Sequence, residues 1–369
     1  LTLCTLRSTG NDLILRPTPD VAEYVYVAVA LSKGHSPLLP IGHELLPSRY
    51  CPLHPLALTG AILCTGSVEE GLRFWPPFAV VTGTVILILT LHRMGVSPAG
   101  RVAALLLLFF APLSIEIATS QLQESTMYLL FALAVCSWQW GVSRSITARN
   151  RRTGTGRLST PFFFVCGLLL GMITCMRMTV APLIIIAAAH VLLSSGWQAS
   201  VILLTGSVLA AVAMTTYTSA LAGYLCFQGY RHWMPEGLPF SFKHAIRLEA
   251  GFPLWQRLLD DFFGVTDKVS TAGALFMILL LPGALSAYLS IRCTPLRRLI
   301  PDHVRAHLSS GALLLIFAIT QLLTHLCYSF YAIRFFVLAF PAVIIGGVVI
   351  LDVLGRNCLP ASIPLIPRN

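Results

Sequence analysis

Apolar residues run along this chain in long, nearly unbroken stretches, at about 75–91, 102–118, 126–141, 161–175, 178–194, 200–224, 271–291, 309–331 and 334–354. Several match the roughly 17–25 residues a helix needs to cross a bilayer. The run from 161 to 194 is too long for one crossing and breaks at Met176-Arg177, which predicts a helical pair. Nine spans result. Nowhere do ten-residue segments alternate between apolar and polar positions, as the strands of a closed barrel would. The fold class is therefore an all-α, polytopic transmembrane helix bundle.

The first polar stretch is RPTPDVAEYVYVAVALSKGHSPLLPIGHELLPSRYCPLHP, residues 16–55. Asp20 follows Pro19 and opens VAEYVYVAVAL, a segment amphipathic enough to lie along a membrane surface. Asp suits a helix N-cap, and a preceding proline keeps the approach extended. SRYCPLHPLALTGAIL then gives a basic, aromatic, proline-stiffened turn leading into an apolar segment too short to span.

Composition adds one constraint. Only 11% of residues are charged and mean hydropathy is +0.78, against about 25% charged in a soluble domain. Lipid must be the solvent for most of the chain. The net charge of +10 does not point to nucleic acid, because the basic residues sit in short loops between apolar runs, where they set topology. Loop 142–160 carries Arg144, Arg149, Arg151, Arg152 and Arg157 with no acid, and 292–308 carries four arginines against Asp302. Both belong in the cytoplasm, and alternation puts 92–101 and the C-terminal tail there too. Nearly all of the 15 acids then fall outside, while the 25 Lys/Arg divide about evenly.

The organisation that follows is a first extracytoplasmic loop with interfacial helices (1–74), a transmembrane core (75–224), a second extracytoplasmic loop (225–270), and C-terminal helices with a tail (271–369). An extracytoplasmic residue 1–74 segment implies a further span upstream of this sequence. The ten cysteines are scattered in apolar runs without C-x-x-C spacing and read as small buried side chains.

Chemistry concentrates at the outer boundary. Asp20 and Glu23 stand at one end of the first loop, with Arg49, Tyr50, Cys51 and Pro52 at the other. Glu124 lies in the turn between two spans, with Glu116 a competitor on the preceding one; an acid so near hydrocarbon is expensive and usually functional. Arg177 and Arg334 each interrupt apolar sequence at the same boundary, which suggests a shared anionic partner such as a lipid phosphate. Each residue also has a bland reading, Asp20 as a helix cap, Arg49 as a headgroup-snorkelling side chain, Arg177 as a loop arginine. In the second loop, Tyr230 and Trp233 offer stacking surfaces or simply an interfacial belt. The histidines have no H-E-x-x-H spacing and no G-x-S-x-G is present; His54 and His43 read as structural.

These segments, in order, resemble the GT-C membrane glycosyltransferases, specifically the bacterial relatives of protein O-mannosyltransferases and the lipid A aminoarabinose transferase. PDVAEYVYVAVALSKG is similar to the family's first-loop acid motif, and LPSRYCPLHPLAL to its basic-aromatic-proline segment. APLSIEIATSQLQESTMYLLFALA resembles its third and fourth spans with an acid in the turn. GLLLGMITCMRMTVAPL and IRFFVLAFPAVII resemble its segments pairing a cation with a proline. Departures at Val21, Glu23 and Cys51–His54 leave the sugar and the acceptor open.

The resemblance implies an inverting transferase that takes a sugar from a polyprenyl-phosphate donor to a hydroxyl on a lipid, glycan or protein acceptor. Asp20 would be the general base and Arg49, Arg177 and Arg334 the donor-phosphate cations. Glu124 would orient the acceptor or hold a divalent ion with Asp20, and Glu23, Tyr50, Tyr230 and Trp233 would line the substrate loop. Compact loops point to the bacterial plasma membrane, with membrane lipids as further partners and no nucleic acid. Two other readings are a transporter or flippase of an amphipathic substrate, which calls for charges near the bilayer midplane, and a polysaccharide ligase or polymerase leaning more on arginines than on Asp20.

Overall fold

The computed structural model describes residues 19–41, 44–48, 50–150, 159–177, 180–222, 302–326 and 337–358. Among them, helices dominate. The chain opens with α1 (Pro19–Ser32), a short antiparallel hairpin of β1 (Leu39–Ile41) and β2 (Glu44–Leu46), and α2 (Leu53–Thr65). The bundle follows as α3 (Val68–Arg93), α4 (Pro98–Phe110), α5 (Pro112–Thr119), α6 (Glu124–Asn150), α7 (Thr160–Met176), α8 (Ala181–Ser195) and α9 (Trp197–Ala222), then α10 (Asp302–Leu326) and α11 (Ala339–Cys358). Over its described residues, each expected span falls on one of these helices or a pair of them; 271–291 lies outside the described residues together with the loop 225–270. The hairpin was not foreseen; it pairs Leu39 with Leu46 and turns the chain back toward α1.

Among the described residues two helices, Val68–Arg93 and Trp197–Leu221, are long and apolar enough by themselves to cross a membrane. The expected span at 102–118 is α4 and α5, bent by 55° at a break that would make the pair a third crossing. The bend follows from Pro112, which forces Ala111 before it into an extended conformation (φ −63°, ψ 129°). The 161–194 run does part at Arg177, which caps α7 with extended backbone. α7, α8, and the apolar parts of α10 and α11 are shorter apolar helices.

Lipid tails give helices little hydrophobic reason to associate, so close backbone approach must do it. α7 carries Gly167 and Gly171 one turn apart, and both face α9. A Cβ on Gly167 would run into the backbone of Leu203, and one on Gly171 would stand 2.5 Å from the Ser207 carbonyl. Gly206 on α9 meets α7 in the same way. Ser207 Oγ donates to the Gly167 carbonyl at 2.9 Å and fixes the register. Gly311 on α10 and Gly346 on α11 face each other similarly. Between these pairs α6 supplies the large core side chains Tyr128, Phe131 and Trp138, all buried.

The two ends of the bundle gather different segments. At one end Arg93 of α3 stacks on Trp140 of α6, Trp140 lies against Phe162 of α7, and Asp352 of α11 accepts from the backbone N–H of Ser97 at 3.0 Å. These are the segments assigned to the cytoplasm. At the other end α1, α2, the start of α3, the start of α6 and the end of α7 converge.

Candidate active site

Asp20 occupies the first turn of α1, where the helix dipole favours a carboxylate. Helical spacing puts Glu23 and Tyr24 one turn further along, and both are buried. The hairpin returns the chain so that Ser48 and Tyr50 reach α1. Tyr50 Oη donates to Asp20 Oδ1 at 2.6 Å. Ser48 Oγ donates to Glu23 Oε1 at 2.7 Å and also accepts from the Tyr50 backbone N–H at 3.1 Å. Two adjacent acids on one helix are thus gripped by two residues of one loop. The Tyr24 and Tyr50 rings lie 4.9 Å apart.

The second half of the site comes from the bundle. Glu124 begins α6 and Arg177 ends α7, and because these helices run antiparallel their tips meet. Arg177 Nη2 donates to Glu124 Oε1 at 2.7 Å. Glu124 retains 1% of its side-chain exposure and Arg177 12%. The pair is therefore nearly desolvated and depends on its own geometry for compensation. Glu116, the alternative acid, forms no ion pair among the described residues.

Tyr24 joins the halves. Its hydroxyl is held well above the ordinary tyrosine range, first by burial and then by the charges of Glu124, Tyr50 and Asp20, with Arg177 acting the other way. Asp20, Tyr50, Glu124 and Arg177 thus all lie close enough to one phenol for their charges to act on it. Tyr24 is an uncharged residue that does not stand out in the sequence. Its position four residues after Asp20, on the same helical face, was the available signal.

Beneath this cluster a fully buried histidine links three helices. His54 of α2 lies 2.8 Å from Thr126 Oγ1 through Nδ1 and 2.9 Å from the Gln121 carbonyl through Nε2. A carbonyl can only accept, so Nε2 carries the proton and Nδ1 accepts from Thr126. Thr126 Oγ1 in turn accepts from Trp75 Nε1 at 2.8 Å. Burial lowers His54 to about 4, so the ring is neutral, and its edge packs on Tyr24 at 5.0 Å. The structural role assigned to it holds, with the added consequence that it seats Tyr24 over the start of α6. Cys51 is buried beside it in sequence and its thiol is pushed up to about 12, chiefly by that burial.

Of the residues singled out from the sequence, Asp20, Glu23, Tyr50, Glu124 and Arg177 come together here. Arg49, Tyr230, Trp233 and Arg334 lie outside the described residues, as does His43. Among the described residues no three His, Cys, Asp or Glu side chains cluster as metal ligands. Asp20 accepts from Tyr50 and Glu124 from Arg177, each through one carboxylate oxygen.

No protein-family model and no curated protein matches this chain. Its likeness is in three dimensions. The crystal structure of ArnT from Cupriavidus metallidurans in the apo state superposes with a TM-score of 0.57 over 91% of this chain, at 14% sequence identity. The bundle has a GT-C-like fold. The chain spans 55% of the length of that ArnT structure. A second ArnT structure from the same organism, bound to undecaprenyl phosphate, superposes at a TM-score of 0.43 and 11% identity, covering 94% of this chain and 75% of that one.

Proposed function

We propose that this chain forms the catalytic part of an inverting glycosyltransferase that moves a sugar from a polyprenyl-phosphate donor to an acceptor hydroxyl at the extracytoplasmic face of a membrane. The observation that carries the reading is Asp20. Its carboxylate stands at a helix N-terminus, is held by the Tyr50 hydroxyl at 2.6 Å, and shares the surroundings of Tyr24 with the Glu124–Arg177 pair. A general base must be positioned before anything else.

Asp20 takes the proton of the acceptor hydroxyl as the acceptor oxygen bonds to the anomeric carbon from the face opposite the phosphate. The bond from that carbon to the phosphate oxygen breaks, and its electron pair leaves on the lipid phosphate. The leaving group is already anionic, so cations rather than an acid are what the step requires. Arg177 is one, its guanidinium oriented by Glu124. The described part of the site holds three carboxylates, Asp20, Glu23 and Glu124, against this single guanidinium. Arg49 and Arg334 supply the remaining positive charge. Tyr230 and Trp233 serve the sugar or the acceptor. The setting is a multi-pass protein of the bacterial plasma membrane, with a lipid, glycan or protein as acceptor.

Membranes containing the protein, incubated with a radiolabelled polyprenyl-phosphate sugar, test this. Transfer of label to an acceptor with release of polyprenyl phosphate is the expected result. Movement of intact labelled lipid between leaflets without release would instead mark a transporter.

A further inference from the structure

The end of the bundle away from Asp20 contains a cavity of about 150 Å³ lined by Arg93, Met94, Gln139, Trp140, Ser143 and Arg144. Gln139 and Glu124 are both on α6, fifteen residues apart, which is about 22 Å along a helix. Arg144, also lining the cavity, stands five residues further along the same helix, and the cavity and the candidate active site therefore lie toward opposite ends of the bundle.

Its chemistry is specific. Gln139 is 1% exposed, lines the cavity, and neither its amide nitrogen nor its amide oxygen has a partner. A buried amide left so is costly, and it calls for a ligand offering both an acceptor and a donor. Two arginines stand at the mouth. The Arg93 guanidinium lies 3.7 Å from the Trp140 ring centroid, and that of Arg144 lies 4.8 Å from the Phe162 ring. Contact with the rings holds both guanidinium groups at the cavity while their N–H donors can still bind an anion.

The surface above the mouth identifies the carrier of that anion. Val85 and Leu89 precede Arg93 on α3 by two turns and one turn, on the same helical face, and both are exposed. An apolar strip thus rises from the arginines into the hydrocarbon layer, where an acyl chain would lie.

We infer that this cavity binds the headgroup of an anionic phospholipid of the cytoplasmic leaflet, with the phosphate on Arg93 and Arg144 and a glycerol hydroxyl on Gln139. Basic pockets between helices on the cytoplasmic side are suited to such headgroups. A free phosphate shares the arginine chemistry but makes no use of the apolar strip. The site acts in the leaflet opposite to the proposed transfer and does not depend on that reaction.

The test is lipid binding by the purified protein in detergent micelles, using phosphatidylglycerol, phosphatidylcholine and inorganic phosphate as separate probes. Phosphatidylglycerol should bind about tenfold or more tightly than phosphatidylcholine and should not be displaced by millimolar phosphate. R93Q/R144Q should remove that preference. Q139L, which leaves the charges in place and removes the unpartnered amide, should weaken phosphatidylglycerol severalfold while leaving thermal stability in lipid-free micelles unchanged or higher. Equal binding of the two lipids by the unaltered protein, full retention of preference in R93Q/R144Q, or displacement by inorganic phosphate would each overturn the inference. Q139L bears on the hydroxyl contact, and unchanged phosphatidylglycerol affinity in that variant would overturn it.

Discussion

Arg177 and Glu124 meet across 2.7 Å where α7 ends and α6 begins, and the pair joins the tips of these two helices at one end of the bundle. The two residues are 53 positions apart in the chain, and it is the antiparallel course of their helices that makes them neighbours.

Breaking such a pair from one side strands a charge. Glu124→Gln or Arg177→Met alone should destabilise the protein by about 3–5 kcal/mol, whereas the double variant should lose much less than the sum. Denaturation in detergent of the four proteins of the cycle measures this. Additive losses would show that the two charges are not coupled.

His54 gives a pH dependence with a definite sign. Its value in the folded protein, about 4, lies below the ordinary 6.5, so the unfolded chain binds the proton first. Stability should be intact above about 6.5 and should fall as pH drops toward 4, by an amount on the order of 3 kcal/mol from this group. His54→Asn should flatten that part of the curve, as followed by unfolding temperature between neutral and acid pH.

Gly167 tests the packing. Because a Cβ there meets the backbone of Leu203, Gly167→Leu should force α7 and α9 apart and sharply lower the yield of monodisperse protein. The same change at Gly60, with open space around its Cβ position, should be tolerated. Size-exclusion profiles of the two variants compare them.

Most of the helical plan was legible in the sequence because lipid-facing helices need long apolar runs, and those runs are hard to mistake. The break at Arg177 was visible for the same reason. Which residues meet at the Asp20 end of the bundle was only half legible. Asp20, Glu124 and Arg177 stand out as charges bordering hydrocarbon, but Tyr24, Thr126, Trp75 and Ser48 are ordinary residue types whose importance comes from contact across distant segments. Tyr50 was expected at the substrate, and its bond to Asp20 depends on the hairpin, whose three-residue strands are too short to leave a pattern. The same limit hid Gln139, which reads as an ordinary polar residue within a span until its surroundings are known.

Tyr50 holds Asp20 and should matter through that bond. Tyr50→Phe removes one hydrogen bond to a carboxylate and should slow sugar transfer about tenfold or more while leaving the protein inserted. Steady-state rates in membranes check this. An unchanged rate would mean that the hydroxyl does not position the base.

The most direct measurement is sugar transfer by the Asp20→Asn protein, inserted in membranes at the level of the unaltered one and supplied with a labelled polyprenyl-phosphate sugar. An amide cannot accept the acceptor proton, so transfer should fall by at least about a hundredfold. Transfer at the full rate would contradict the account.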